Sequence, residues 1–175
     1  MRLMLLRHAK SEKAEAGQAD RERHLNGRGR GDAPVIGAYM AHHALIPDLA
    51  LVSPAVRTRE TWERIVAELP NRPRETFEER LYNAGRQGIL AVIKETAASV
   101  RTLMAVGHNP GLHDLARQLI ASGDVEARER LNEGLPTSGL VVIDFAGNDW
   151  RKLHARSGRL MHFITPRSLA AAAKV

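Results

Sequence analysis

The 175-residue chain has no cysteine, which excludes a disulfide scaffold, thiol catalysis and cysteine-ligated metal and leaves the redox compartment undetermined. Aromatic residues are scarce at 4%, so few rings are available to stack on bases. No stretch approaches the ~18 consecutive apolar residues of a membrane span, and the N-terminal apolar run meets the charge of Arg7 too early for a signal peptide. The expectation is a cytoplasmic protein. The net charge of +6 is not gathered into a basic run: Lys and Arg alternate with Asp and Glu, and neither helix-turn-helix nor zinc-finger spacing is present. A basic nucleic-acid-binding domain stands as the non-enzymatic alternative.

The chain does have an ordinary globular balance, 43% hydrophobic and 26% charged, and its length fits one domain spanning residues 1–175. Met4, Leu5 and Leu6 form a continuous apolar run, as in a strand covered on both faces of a parallel sheet, and it stops abruptly at Arg7-His8. Leu49 to Val52 repeats the pattern and stops at Ser53-Pro54, a pair that predicts an N-cap and a first helical proline. The helix that follows carries Ala55, Thr58, Trp62, Ile65, Val66 and Leu69 on one face, with Arg57 and Thr61 four apart on another. Thr102 to Val106 is a third such strand, stopping at Gly107-His108-Asn109-Pro110-Gly111, where Asn109 is expected to cap a helix opened by Pro110. Three strand ends thus put Arg7, His8, Arg57 and His108 where open α/β sheets keep their chemistry.

Between these landmarks, Glu12 to His24 reads as a loop passing over or beside the strand ends. Asn26 reads as the N-cap of a helix running to about Ala44. Gly27-x-Gly29-x-Gly31 follows no strand and lacks dinucleotide spacing, so it is not a nucleotide loop. A short strand is expected at Glu75 to Phe77, a helix through Ile89, Val92, Ile93 and Thr96, and a polar linker over Ser122 to Pro136. Leu140 to Phe145 and Trp150 to His154 read as a hairpin about the Ala146 to Asp149 turn, and 159–175 as a closing segment with an Ala-rich tail. His42-His43 and the His108/His113 pair lack the spacing of a metal site.

Leu6-Arg7-His8, Ser53-Pro54-x-x-Arg57-x-x-x-Thr61 and Val106-Gly107-His108-Asn109-Pro110 occur in the order found in one family. From Arg2 to about Leu169 the chain resembles the histidine phosphatase superfamily, above all its short SixA-type phosphohistidine phosphatases. Ala9 stands where the superfamily usually has Gly, which bears on loop geometry alone. The resemblance implies a three-layer α/β/α sandwich around a mostly parallel mixed sheet, phosphoglycerate mutase-like, with a minimal cap insertion. It implies that His8 is the nucleophile of a phosphatase acting through a phosphohistidine intermediate, and that Arg7, Arg57 and His108 hold the phosphate. Asn109 and Ser11 are further phosphate contacts on this reading; Lys10 is more simply a solvated loop residue. No cofactor and no metal are implied, because the cations already surround the charge of the transferring group. To attack, His8 must present an unprotonated nitrogen, so its other nitrogen needs a fixed partner such as a backbone carbonyl or carboxylate.

The implied substrate is a phosphorylated protein such as a phosphohistidine-carrying domain in bacterial signalling, with no nucleic acid or membrane involved and the enzyme a monomer. A phosphatase of small phosphoesters is the alternative within the same superfamily. Larger members carry an acidic proton donor after a segment like Glu79-Arg80-Leu81-Tyr82-Asn83. Aligned on that segment, Asn83 occupies the donor's place, and an amide is no general acid. Glu78 and Glu79 are nearby carboxylates that read as solvated residues at a strand end.

Overall fold

The computed structural model describes residues 1–175. Its elements run β1 (Arg2–Arg7), α1 (Gly27–His42), β2 (Leu49–Val52), α2 (Val56–Val66), β3 (Arg74–Phe77), α3 (Arg86–Lys94) and β4 (Thr102–Gly107), followed by α4 (Gly111–Leu119), β5 (Ile120–Gly123), α5 (Val125–Glu133), β6 (Leu140–Phe145), β7 (Gly158–Ile164) and α6 (Pro166–Ala172). One seven-stranded sheet of order β3-β2-β4-β1-β6-β7-β5 runs through the molecule. Its β3, β2, β4 and β1 are mutually parallel, β6 is antiparallel to β1 and β7, and β5 pairs parallel to β7.

Alternation along β1 divides the core between the two faces of the sheet. Leu3 and Leu5 join a cluster with Ile89, Val92 and Ile93 of α3 and Leu112, Leu115 and Leu119 of α4. Met4 and Leu6 join Ile36 and Met40 of α1 with Trp62 and Ile65 of α2 on the other face. The result is the expected three-layer sandwich around a mostly parallel mixed sheet, and it explains why β1 and β4 are apolar at every interior position. Asn26 caps α1 as expected, accepting from the Gly29 backbone N–H at 2.9 Å, and the helix runs through Pro34 to His42.

Several expectations are corrected. Ser53 does not cap α2: the helix starts at Val56, the cap position is Ala55, and the Ser53 hydroxyl is drawn instead to a histidine described below. Asn109 does not cap α4, whose cap position is Pro110, because its amide donates to the Leu135 carbonyl at 2.7 Å. The polar stretch Ser122 to Pro136 is not a linker but holds the end of β5 and all of α5, a helix whose one buried residue is Leu131 and whose N-terminus is capped by Asp124. Trp150 to His154 is not the second strand of a hairpin. Trp150 lies in a 3-10 turn, fully buried, with its indole N–H donating to the Val100 carbonyl at 2.7 Å, and β6 pairs with β7 further on. The closing segment therefore contains β7 and α6; a Thr165/Ser168 capping box and Pro166 start the helix.

Candidate active site

Because β1, β2 and β4 are parallel and pair with Leu6 beside Val106 and Val52 beside Val106, their carboxyl ends lie along one edge. His8 and His108 emerge there with ring centroids 5.4 Å apart, and Arg57 arrives from the first turn of α2 with an Nη2 3.3 Å from Nδ1 of His108. His8, His108 and Arg57 are all buried. Arg7 is half-buried beside them, its Nη1 donating to the Leu135 carbonyl at 3.1 Å and its Nε without a partner. The four residues singled out from the sequence thus come together.

The backbone around His8 is fixed on every side. Its N–H donates to the Gly107 carbonyl at 3.1 Å, and its carbonyl accepts from Ser138 N–H at 3.1 Å. The Ala9 N–H donates at 2.9 Å to the hydroxyl of buried Thr61, which in turn donates to the Arg57 carbonyl at 2.6 Å. One threonine therefore locks the turn after His8 to the helix that carries Arg57. Gly29 allows the chain to close over this turn: a Cβ there would lie 2.1 Å from the Lys10 carbonyl oxygen. Gly111 plays the same part on the opposite side, where a Cβ would lie 2.2 Å from the Ala84 carbonyl oxygen and push away the segment bearing Tyr82.

The imidazoles are held in defined states. Nδ1 of His8 lies 2.7 Å from the Ala9 carbonyl; since a carbonyl only accepts, Nδ1 carries the proton and Nε2 presents its lone pair. This is the fixed partner the sequence called for. Burial, reinforced by the positive charge of Arg57 and Arg7, lowers the His8 pKa to about 3, although the Ala9 hydrogen bond works the other way. His108 is lowered to about 4, first by burial and then by the charge of Arg57. Its Nε2 lies 2.7 Å from the Ser53 hydroxyl while Nδ1 accepts from Arg57. Burial and the neighbouring Arg57 also lower the pKa of Arg7.

The sequence reading missed Asp20. It sits in a 3-10 turn over residues 20–22, half exposed above the buried clamp. Arg57 donates to its carbonyl at 2.9 Å and to Oδ2 at 3.0 Å, Tyr82 donates its hydroxyl to Oδ2 at 2.6 Å, and Arg23 binds Oδ1 through Nε and Nη2. These hydrogen bonds, that of Tyr82 foremost, hold the Asp20 carboxyl below the usual carboxylate range, so it is an anion at neutral pH rather than a proton donor. The loop does pass over the site, but nothing in Glu12 to His24 distinguishes Asp20 from its acidic neighbours. Tyr82, whose ring meets His108 edge-on at 5.5 Å, was equally unmarked.

Ser11 lies beside His8 on a cavity of about 330 Å3, its hydroxyl accepting from Arg23 at 2.9 Å. Asn109 instead borders, with Arg7, a larger concavity of about 950 Å3 between α5 and α6, which shares neither His8, Arg57 nor His108. Asn83 is exposed at the end of the turn bearing Tyr82. Glu78 pairs with Arg80 and Glu79 with Arg21, so neither reaches the histidines. Elsewhere His24 is bound to Glu60, His113 to the Leu131 carbonyl and His162 to the Tyr39 hydroxyl, all outside the site.

An arginine-histidine strand end facing a second histidine and a buried arginine across parallel strands defines a class, and residues 3–101 match the histidine phosphatase superfamily (branch 1). The chain belongs to that superfamily of phosphatases and is of its SixA type. It is 34% identical over 164 residues to an uncharacterized protein of Mycobacterium tuberculosis, covering 93% of this chain and all of that one. A solved structure from Agrobacterium tumefaciens, provisionally named phosphohistidine phosphatase SixA, is 32% identical with a TM-score of 0.80, covering 94% of this chain and 97% of that one. The protein histidine phosphatase SixA solved with tungstate shares the fold at 19% identity and a TM-score of 0.71, over 97% and 99% of the two chains. No helix of the chain is long and apolar enough to cross a membrane.

Proposed function

We propose that the protein is a phosphohistidine phosphatase that takes the phosphoryl group from a protein histidine onto Nε2 of His8 and then releases it to water. The observation that carries this reading is the hydrogen bond from Nδ1 of His8 to the Ala9 carbonyl, which leaves Nε2 unprotonated beside Arg7, Arg57 and His108. Attack by Nε2 forms the P–N bond as the P–N bond to the substrate imidazole breaks. Arg7 and Arg57 neutralise the equatorial oxygens, and His108 gains a proton more readily once a phosphate dianion faces it. These cations do the work of a metal, so the reaction needs none. Water then attacks phosphorus in line with His8, which departs as a neutral imidazole. The working unit on this reading is one domain over residues 1–175, monomeric and cytoplasmic.

The leaving group argues for phosphohistidine over phosphoester. Asp20 is ionised, Asn83 is an amide, and Glu78 and Glu79 are paired away from the histidines. An alkoxide would leave without a proton, whereas a phosphohistidine ring protonated on its second nitrogen carries its own proton and leaves as neutral imidazole. The test is His8→Ala together with rapid-quench trapping on the wild type. His8→Ala should fall below a few per cent of wild-type activity with the fold intact, and Arg57→Ala or His108→Ala should each cost ~10²-fold. The trapped phosphate should be acid-labile and base-stable. Turnover of alkyl esters as fast as of phosphohistidine, or appreciable activity in His8→Ala, would overturn the reading.

A further inference from the structure

The cavity of about 330 Å3 that opens on His8 has no apolar side chain in its lining. Arg7, Lys10, Lys13 and Arg23 contribute four positive charges, against the single carboxylate of Glu12. Arg23 is engaged by Asp20 and Ser11, but neither Lys10 nor Lys13 takes part in any ion pair of the molecule. The wall that carries them is built rather than loose. Ser11 forms a β-bridge with Leu25, the Glu12 N–H donates to the His24 carbonyl at 2.8 Å, and the Asn26 N–H donates to the Lys10 carbonyl at 3.0 Å. Arg23 crosses it, donating from Nη1 to the Glu12 carbonyl at 2.9 Å.

We propose that this cavity is a second anion subsite, which takes a phosphate or carboxylate group carried on the same substrate as the phosphoryl group that reaches His8. The inference rests on the reading of His8 as the phosphoryl-accepting end of the cavity. Phosphate chemistry at His8 alone needs the cations at the strand ends and leaves the two lysines without a role. Cations lining a concave wall concentrate their potential on whatever enters it. Lysines on flexible stems suit an anion whose position varies with the substrate, where a bidentate arginine fork would demand one geometry. A substrate with a second negative group beside its labile phosphate gains both lysines; one without it leaves them in water. The second group can come from an acidic residue flanking a phosphohistidine or from a small molecule with two phosphates, and the test separates these sources.

Methylenediphosphonate and methylphosphonate, which are not hydrolysed, are titrated calorimetrically into the wild type and into the Lys10→Ala/Lys13→Ala double variant, whose changes are confined to exposed side chains. The diphosphonate should bind the wild type about tenfold more tightly than the monophosphonate, and the double variant should lose that advantage. Raised salt should shrink it. The double variant should still hydrolyse phosphoramidate, which has no second anion, at the wild-type rate. In a second arm, phosphohistidine peptides with Asp or Ala on either side of the histidine are compared as substrates. A wild-type preference for the Asp peptide that vanishes in the double variant assigns the subsite to a protein substrate; a preference seen with the diphosphonate alone assigns it to a small bis-anion. Equal affinity of the two phosphonates for the wild type, or an advantage that survives in the double variant, overturns the proposal. Calorimetry does not depend on turnover, so the subsite can fail while the phosphatase reading stands, and the reverse.

Discussion

Protonation of the two buried imidazoles should make the protein lose stability in mild acid by an amount that a single substitution roughly halves. His8 titrates at about 3 and His108 at about 4 in the folded chain, against ~6.5 for a free imidazole. Because the folded values are depressed, the unfolded chain takes up these protons first as pH falls. Stability is therefore fully present above ~6.5, declines below it, and levels off only when the folded rings protonate near the lower values. At about pH 5 the unfolded state of each ring is favoured by ~2 kcal/mol, and the pair by ~4 kcal/mol, relative to about pH 8. His8→Asn, which keeps an amide to bond the Ala9 carbonyl, removes one ring and should cut the acid loss by ~2 kcal/mol. Urea unfolding of wild type and variant at the two pH values measures the difference, in which groups that do not touch His8 cancel; His108, although coupled to His8, stays depressed by burial and by Arg57. Equal acid losses in the two proteins, or an NMR titration of the His8 ring near its ordinary midpoint, would refute the argument. The same depression means that acid down to about pH 5 should not silence activity by protonating His8.

Three further outcomes are expected. Phosphatase activity should be unchanged in excess EDTA; loss on chelation with recovery on added Mg²⁺ would contradict the role given to Arg7, Arg57 and His108. Asp20→Asn removes the anion that Arg57 now binds and should tighten inhibition by inorganic phosphate several-fold, on the order of 1 kcal/mol; weaker inhibition would show that Asp20 organises the clamp instead of competing for it. Thr61→Val keeps the side-chain shape but leaves the buried Ala9 N–H without an acceptor. It should cost ~1–3 kcal/mol in denaturant unfolding and lower kcat by loosening the turn after His8; an unchanged midpoint and rate would show that the lock is not needed.

Much of the frame was legible because its signals are local. The continuous apolar runs of β1 and β4 announce strands buried on both faces, their abrupt polar stops place His8 and His108 at an edge, and Asn26 announces the start of α1 through its own side chain. Arg57 could be added because its distance from the end of β2 is only a few residues of chain. What failed depended on partners distant in sequence. Ser53 is a sound N-cap by local preference, yet His108, 55 residues away, offers its hydroxyl a buried hydrogen bond. Trp150 fits a strand until the Val100 carbonyl draws its indole inward. The polar α5 shows little periodicity, because Leu131 is the one residue it buries. Asp20 is one acidic residue among several in its loop, and only folding sets it against Arg57 and Tyr82. Short-range hydrophobic patterning decides where a strand stops, and so the order of residues was enough to set which groups stand at the ends of β1, β2 and β4. What each group bonds there, and with it the charge state of His8, His108 and Asp20, came with folding, because those states follow from burial and from neighbours dozens of residues away.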